Sequence, residues 1–220
     1  MINLLQYCSD LLPISLFLIF LKQTKEEKVL WVIFLYAIFS FINNNLLLYV
    51  FNNDDFGGYL VLSIFTGIEF ICFVTVLIFL LANKTALNVI KVIALAFILF
   101  CVISIIGSNH ESHFDSIQSS ISSILIIIFC IFYFFEKLNE PEMKFIYSDF
   151  HFWIILAFLI YLAATLFLYG YVTSLPQDIA KKYWVINSIS NIIKNILFCI
   201  AIIKFLKPPN IPTKLTYSEY

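Results

Sequence analysis

The chain has 220 residues, of which 62% are hydrophobic and 12% charged, and its mean hydropathy is +0.97. A soluble domain carries roughly twice that charged fraction, so the composition excludes a water-soluble fold and indicates an integral membrane protein. The net charge of −1 excludes the basic field that nucleic-acid binding needs, and all 13 basic residues are lysine, without the bidentate guanidinium of arginine.

Seven apolar segments follow one another along the chain, each closed by a polar or turn-forming break. Roughly twenty apolar residues in a helix cross the bilayer, and lipid offers no partner to an open strand edge, so each segment is predicted to be a transmembrane helix. In chain order, segments 1 to 7 are Leu4 to Leu21, Val29 to Phe51, Gly58 to Ala82, Leu87 to Gly107, Ser116 to Phe135, Phe150 to Val172 and Tyr183 to Leu206. The predicted fold class is an all-α integral membrane protein, a seven-transmembrane-helix bundle forming a single domain over 1–206 with a short proline-containing tail at 207–220.

Lysines in the short loops predict the orientation, because basic residues concentrate on the cytoplasmic side of a membrane. Ten lysines fall on one side of the segments, and only Lys181 and Lys182 lie in loops on the other. Trp31 and Trp153 fall at the same predicted inner interface, as aromatic anchors should. The pattern predicts that the amino terminus lies outside and the carboxyl terminus and tail are cytoplasmic. The ten lysines are Lys22, Lys25, Lys28, Lys84, Lys91, Lys137, Lys144, Lys204, Lys207 and Lys214.

Two charged residues deep inside the predicted segments are Glu69 in segment 3 and Lys194 in segment 7. Each stands eleven residues from the outer end of its segment, which at about 1.5 Å per residue places both roughly 16 Å deep. Charges at this depth are costly and usually face partners in the bundle interior. We therefore predict an ion pair between Glu69 and Lys194, which is either a structural staple or part of a functional pathway.

Polar stripes surround this pair in the outer half of the predicted bundle. Small polar residues commonly line helix contacts in membranes, so simple packing is one interpretation of these stripes. The consecutive asparagines at 43–45 and the stripe on segment 7 fit that interpretation less well, because many amides need partners away from water. A water-accessible pocket open to the outside would supply them. The predicted ligand-binding residues are Glu69, Lys194, Asn191, Asn187, Ser190, Asn44, Thr66 and Ser63.

Enzyme chemistry has no support in the sequence, since no catalytic triad, glycine-rich phosphate loop or paired-carboxylate site is evident. We predict no catalytic residue, no metal site and no cofactor. The five cysteines lie in apolar stretches without ligand spacing and are expected to be small buried hydrophobes. His110 and His113, with Glu111 and Asp115, could ligate a metal, although a solvated loop is the favoured interpretation.

A lysine in the last helix and a carboxylate in the third resemble the Schiff-base lysine and counter-ion of microbial rhodopsins. That family has an acidic residue four positions before the lysine, where this chain has Ser190. It also has a Trp-x-x-Tyr-Pro feature in helix 6, where Tyr161 is followed here by Leu162. Retinal binding is therefore a minor alternative.

The carboxyl-terminal third is similar to uncharacterised bacterial seven-helix membrane proteins, some of them associated with sensor kinases. Four short motifs carry the resemblance: Phe152-Trp153, Tyr161, Trp184-Val185-Ile186-Asn187 and Asn191-Ile192-Ile193-Lys194-Asn195. The resemblance implies a multi-pass protein of the bacterial inner membrane that acts as a sensory or signalling accessory.

The leading functional hypothesis is a receptor-like protein in the lipid bilayer. An unknown small ligand enters the outer pocket and shifts segments 3 and 7, and a cytoplasmic or membrane partner such as a sensor kinase reads the change. The alternative is a small-solute or ion transporter in which Glu69 exchanges protons. An assembly subunit without a ligand is a third possibility.

Overall fold

The computed structural model of the chain describes residues 2–51, 55–107, 116–139, 146–172 and 177–207. These ranges are almost entirely helical and contain no strand. The predicted tail beyond 207 and the possible metal ligands His110, Glu111, His113 and Asp115 lie outside them. In chain order the elements are α1 (Ile2–Ile19), α2 (Leu21–Thr24), α3 (Lys28–Phe51), α4 (Asp55–Leu80), α5 (Lys84–Gly107), α6 (Ser116–Leu138), a 3-10 turn (Ile146–Ser148), α7 (Phe150–Val172) and α8 (Gln177–Leu206).

Six of these helices, α3 to α8, are long and apolar enough to cross a membrane, and α1 has a shorter apolar stretch at Leu5–Ile19. Over the described ranges the chain is thus a multi-pass helical protein with six candidate spans and one shorter apolar helix. Several helices extend beyond their predicted segments: α8 begins at Gln177, whereas segment 7 begins at Tyr183. Polar residues can continue a helix past the hydrocarbon, and an apolar pattern marks only the part inside it.

Six helices form a closed ring. In this ring α8 packs between α1 and α7, α6 joins α7 to α4, and α3 joins α4 to α1. The remaining long helix, α5, lies outside the ring and packs mainly against α4. Its outward face is apolar and exposed, with Val92 at 69%, Ile103 at 68% and Ile106 at 79% exposure. Such a continuous apolar face is suited to lipid.

An aromatic layer made of Phe73, Phe158 and Phe198 fills the centre of the ring. The rings of Phe73 and Phe158 are stacked with centroids 3.8 Å apart, and Phe198 meets Phe158 edge-on at 6.0 Å. Aromatic side chains bury large areas and pack with defined geometry. The aromatic layer therefore sets the spacing of α4, α7 and α8. It does so one helical turn beyond the charged residues Glu69 and Lys194.

Helix ends on the predicted cytoplasmic side are tied by side chains. The indole Nε1 of Trp31 donates to the carbonyl of Lys25 at 2.8 Å, and that of Trp153 donates to the carbonyl of Tyr147 at 2.9 Å. Each tryptophan is the fourth residue of its helix, α3 or α7. Across the bundle, Glu136 Oε1 of α6 accepts the backbone N–H of Ala82 at 2.7 Å, in the turn between α4 and α5. These contacts orient the helices on which the interior site is built.

Candidate functional site

Three ionisable side chains meet in the interior of the ring: Asp10 from α1, Glu69 from α4 and Lys194 from α8. Their exposed fractions are 2%, 8% and 1%. A buried charge is strongly destabilising unless paired and hydrogen-bonded, so the partners of these groups decide whether they can be tolerated. We call these three residues and their polar partners the buried network.

Tyr36 of α3 joins the two residues that the sequence predicts as an ion pair. Lys194 Nζ donates to the Tyr36 hydroxyl at 2.6 Å, and that hydroxyl donates to Glu69 Oε1 at 2.6 Å. An ammonium has only donors and a carboxylate only acceptors, so the direction of both bonds is fixed. The predicted pair is therefore bridged by a hydroxyl from a third helix.

The ammonium of Lys194 also lies over two aromatic rings. Its Nζ is 4.0 Å from the ring centroid of Tyr161 on α7 and 4.7 Å from that of Tyr36. The negative face of an aromatic ring attracts a cation, and the attraction is larger when water is excluded. The Tyr161 hydroxyl in addition interacts with Glu69. The two tyrosines thus replace part of the hydration shell that Lys194 loses on burial.

Asp10 is held by three asparagine amides. Its Oδ1 accepts Nδ2 of Asn191 and Nδ2 of Asn195, both at 2.7 Å, and its Oδ2 accepts Nδ2 of Asn44 at 2.8 Å. Asn191 and Asn195 are one turn apart on α8, which places both amides on the face that meets α1. Asp10 therefore ties α1 to α3 and α8.

Asp10, Tyr36 and Tyr161 are members of this site that were not predicted from the sequence. The signal for Asp10 was present, since it is an acid inside segment 1, as Glu69 is inside segment 3. Pro13 follows three residues later and, because proline lacks an N–H, leaves the carbonyl of Ser9 without its helical donor. The two tyrosines stand among other aromatic residues in apolar segments, and no sequence pattern separates them from core residues.

The predicted ligand-binding residues are divided between several surroundings. Asn44, Asn191, Glu69 and Lys194 belong to the buried network. Ser190 instead donates to the carbonyl of its own helix, at Ile186, over 2.7 Å.

Thr66 and Ser63 face α6. The Thr66 hydroxyl is 3.2 Å from that of Ser119, and Gln118 Nε2 donates to the carbonyl of Ser63 at 3.3 Å. This contact resembles ordinary helix packing through small polar residues.

Asn187 lies on α8 one turn before Asn191, towards the amino end of the helix. Its amide oxygen is buried and accepts no hydrogen bond from the described part of the chain. A buried acceptor without a donor is unusual in a folded protein. An N–H or O–H donor placed at this oxygen would therefore be stabilised.

No known protein family, characterised protein or solved structure matches this chain. Within the described ranges, no group of three or more histidine, cysteine or acidic side chains is arranged to hold a metal ion.

The buried network holds more acid than base. Both Glu69 and Asp10 are close enough to Lys194 to act on its charge. With all three groups ionised, two carboxylates face one ammonium in a medium that screens charges poorly. Such a site can accept one more positive charge, in the form of a proton or another monovalent cation.

Proposed function

We propose that this chain is a receptor-like signalling protein of the cell membrane, in which a small ligand from outside rearranges the buried network. One observation carries the proposal: the network takes its contacts from α1, α3, α4, α7 and α8. A ligand that competes for one of these hydrogen bonds changes the packing of several helices at once. A ligand shifts a protein between two arrangements only if it binds them unequally, and competition for a network bond meets that condition.

The proposed topology has seven spans, with α1 as the first. At about 1.5 Å per residue, the 18 residues of α1 extend roughly 27 Å, close to the thickness of the hydrocarbon. Packing of α1 against α3 and α8 closes the ring and brings Asp10 inside it. With the amino terminus outside, the described lysines near helix ends, apart from Lys181 and Lys182 in the first turns of α8, lie on the cytoplasmic side of a bacterial inner membrane, where a partner such as a sensor kinase has access.

Reporter fusions test this topology. A green fluorescent protein fused after residue 220 is expected to fluoresce, because it folds in the cytoplasm, and alkaline phosphatase fused at the same place is expected to be inactive. Alkaline phosphatase fused to the amino terminus through a signal sequence is expected to be active. The opposite pattern at the carboxyl terminus would contradict the seven-span orientation.

The proposed ligand pocket lies on the outer side of the network. Asn187 offers a buried amide oxygen there, which suits a ligand with an N–H or O–H donor. On the other side, the aromatic layer of Phe73, Phe158 and Phe198 separates the network from the cytoplasmic ends of the helices. A pocket that is closed on its cytoplasmic side by packed aromatic rings offers no continuous path across the membrane, which favours a receptor over an open channel.

Amide hydrogen exchange tests whether the network couples distant parts of the bundle. In Lys194→Met, the central cation is lost while an unbranched side chain only one heavy atom shorter is kept. We expect faster exchange at the cytoplasmic ends of α4 and α7 as well as around residue 194, because exchange reports local opening. The control is Asn45→Ala, whose amide bonds only to the carbonyl of Phe41 in its own helix. Changes confined to the turns next to residue 194 would contradict the receptor proposal.

A proton- or cation-coupled transporter is the second candidate, and the excess of acid over base in the network favours it. Wild-type protein in liposomes containing a pH-sensitive dye is compared with Glu69→Gln under an imposed proton gradient. Proton flux that depends on Glu69 would favour the transporter and count against the receptor. Absence of flux together with the long-range exchange changes supports the receptor.

A further inference from the structure

We infer that Tyr36 is a proton relay and that Lys194, Tyr36 and Glu69 form a proton-transfer site. The inference goes beyond the choice between receptor and transporter, because it concerns a step that either could use. It rests on one hydroxyl group that makes both of its hydrogen bonds to buried, oppositely charged partners.

The two hydrogen bonds of the Tyr36 hydroxyl run in one direction, from Lys194 to Glu69. The Tyr36 oxygen accepts from Lys194 Nζ at 2.6 Å and donates its single proton to Glu69 Oε1 at 2.6 Å. Hydrogen bonds to ionised groups are the short and strong ones, and short donor–acceptor distances favour proton transfer. All three groups are at most 8% exposed, so they are shielded from competing bulk water.

The transfer step is balanced without any added reactant. The Tyr36 O–H bond breaks as its proton passes to Glu69 Oε1, where a new O–H bond forms. One N–H bond of Lys194 breaks, and that proton forms the new O–H bond of Tyr36. The ammonium and carboxylate become an amine and a carboxylic acid, while Tyr36 is unchanged. A proton from outside then restores the ammonium, and the network has taken up one positive charge.

Several groups on the helices around Glu69 compete for this proton or lie beside it. The oxygens of Asp10 on α1 already accept three amide N–H donors. On the α5 side Phe97 packs against Phe70. On the α6 side the hydrogen bonds between Thr66 and Ser119 and from Gln118 to α4 join groups that do not titrate. The titratable groups that act on or are acted on by Glu69 are Tyr36, Tyr161, Tyr169, Cys72 and Lys194.

Transfer changes the forces between the helices. In the charged form, α4 and α8 attract each other through the ammonium and the carboxylate. In the neutral form this attraction is absent, and so is the unfavourable burial of two charges. Movement of one proton through Tyr36 thus alters how strongly α4 and α8 are held together across the ring.

Time-resolved infrared spectroscopy after a rapid drop in pH tests the relay on the full chain in lipid nanodiscs. The signal is the carbonyl stretch of a protonated carboxylic acid, and its loss in Glu69→Gln assigns it to Glu69. Tyr36→Phe keeps the ring contacts, including that with Phe73 at 4.8 Å, and removes the relaying hydroxyl. We expect the Glu69 signal to appear about a hundredfold more slowly, or slower still, in Tyr36→Phe, as for loss of a positioned proton donor.

Thr165→Val is the matched control, because it removes a buried hydroxyl that bonds to the carbonyls of Tyr161 and Leu162 within α7 and leaves the Lys194–Tyr36–Glu69 chain intact. Its rate is expected to stay near that of the wild type. Equal rates in wild type and Tyr36→Phe, or equal slowing in both variants, would overturn the relay. So would the absence of a Glu69 signal at any pH at which the protein is folded.

A measurement on the unmodified protein keeps the test valid if Tyr36→Phe does not fold. The rate is measured in mixtures of H₂O and D₂O. Two protons moving together give a curved dependence on the deuterium fraction, and this is the expected result. A straight line, which means that one proton moves, would overturn the relay through Tyr36.

Discussion

The three amides on Asp10 predict a specific energetic coupling between α1 and its neighbours. Hydrogen bonds between membrane helices contribute about 0.6 kcal/mol on average and about 1.7 kcal/mol at most, so three of them sum to roughly 2 to 5 kcal/mol. The change in the free energy of unfolding caused by Asp10→Ala alone has no fixed sign, because this substitution removes the hydrogen bonds and also the unfavourable burial of a charge. The pairwise coupling between Asp10 and Asn44 isolates one bond, and we expect it to lie between about 0.6 and about 1.7 kcal/mol.

The assay is a double-mutant cycle on the free energy of unfolding, measured by titration with sodium dodecyl sulfate in mixed micelles. One cycle combines Asp10→Ala with Asn44→Ala, whose amide bonds to Asp10 at 2.8 Å. The control cycle uses Asn45→Ala, since the neighbouring amide bonds within its own helix. We expect no coupling in the control. Equal coupling for Asn44 and Asn45, or none for either, would refute the argument that Asp10 holds α1 to α3 through this bond.

Three further predictions concern contacts outside the network. Burial opposes ionisation of Asp149, but its hydrogen bond to His151 at 2.8 Å and the charge of that ring outweigh burial and lower the pKa of the carboxyl. This stabilisation is present above the ordinary pKa of 3.8 and is lost as the pH falls through the folded-state value, so Asp149→Asn should reduce the acid sensitivity of thermal unfolding. Thr66→Val should lower the free energy of unfolding by about 0.6 to 1.7 kcal/mol, because its contact with Ser119 is lost. It should not slow proton transfer to Glu69, and slower transfer would contradict the separation of the Thr66–Ser119 contact from the Lys194–Tyr36–Glu69 chain. Asn83→Ala should lower stability by about 1 kcal/mol, because the Asn83 Oδ1 accepts two backbone N–H groups in the first turn of α5, and an unchanged unfolding midpoint would show that this cap is unimportant.

The helices could be predicted closely from the apolar pattern. Segment 6 and α7 share the bounds Phe150 and Val172, and segments 2 and 5 differ from α3 and α6 by a few residues at one end. The first predicted segment differs from the others. Asp10 and Pro13 interrupt its apolar run, and the described apolar stretch there is shorter than in the other long helices.

The site was predicted only in part. Depth counted along the helices placed Glu69 and Lys194 at one level, which agrees with their connection through Tyr36. Depth along a helix does not tell where that helix lies in the ring. Because α4 and α8 lie on different sides of the ring, a residue of α3 fills the space between the two charges. The polar stripe on segment 3 could equally have faced α8 or α6, and Thr66 faces α6.

The sequence by itself determined that this chain is helical, that its helices are long and apolar, and that charged residues lie within them. Lipid cannot bond to the backbone, so each segment must satisfy its own N–H and C=O groups, and this local requirement can be read from local residues. Which polar side chains meet was decided only by the tertiary structure. An asparagine or a tyrosine can bond to any partner within reach, and the order of the helices around the ring sets which partners Asp10, Glu69 and Lys194 find.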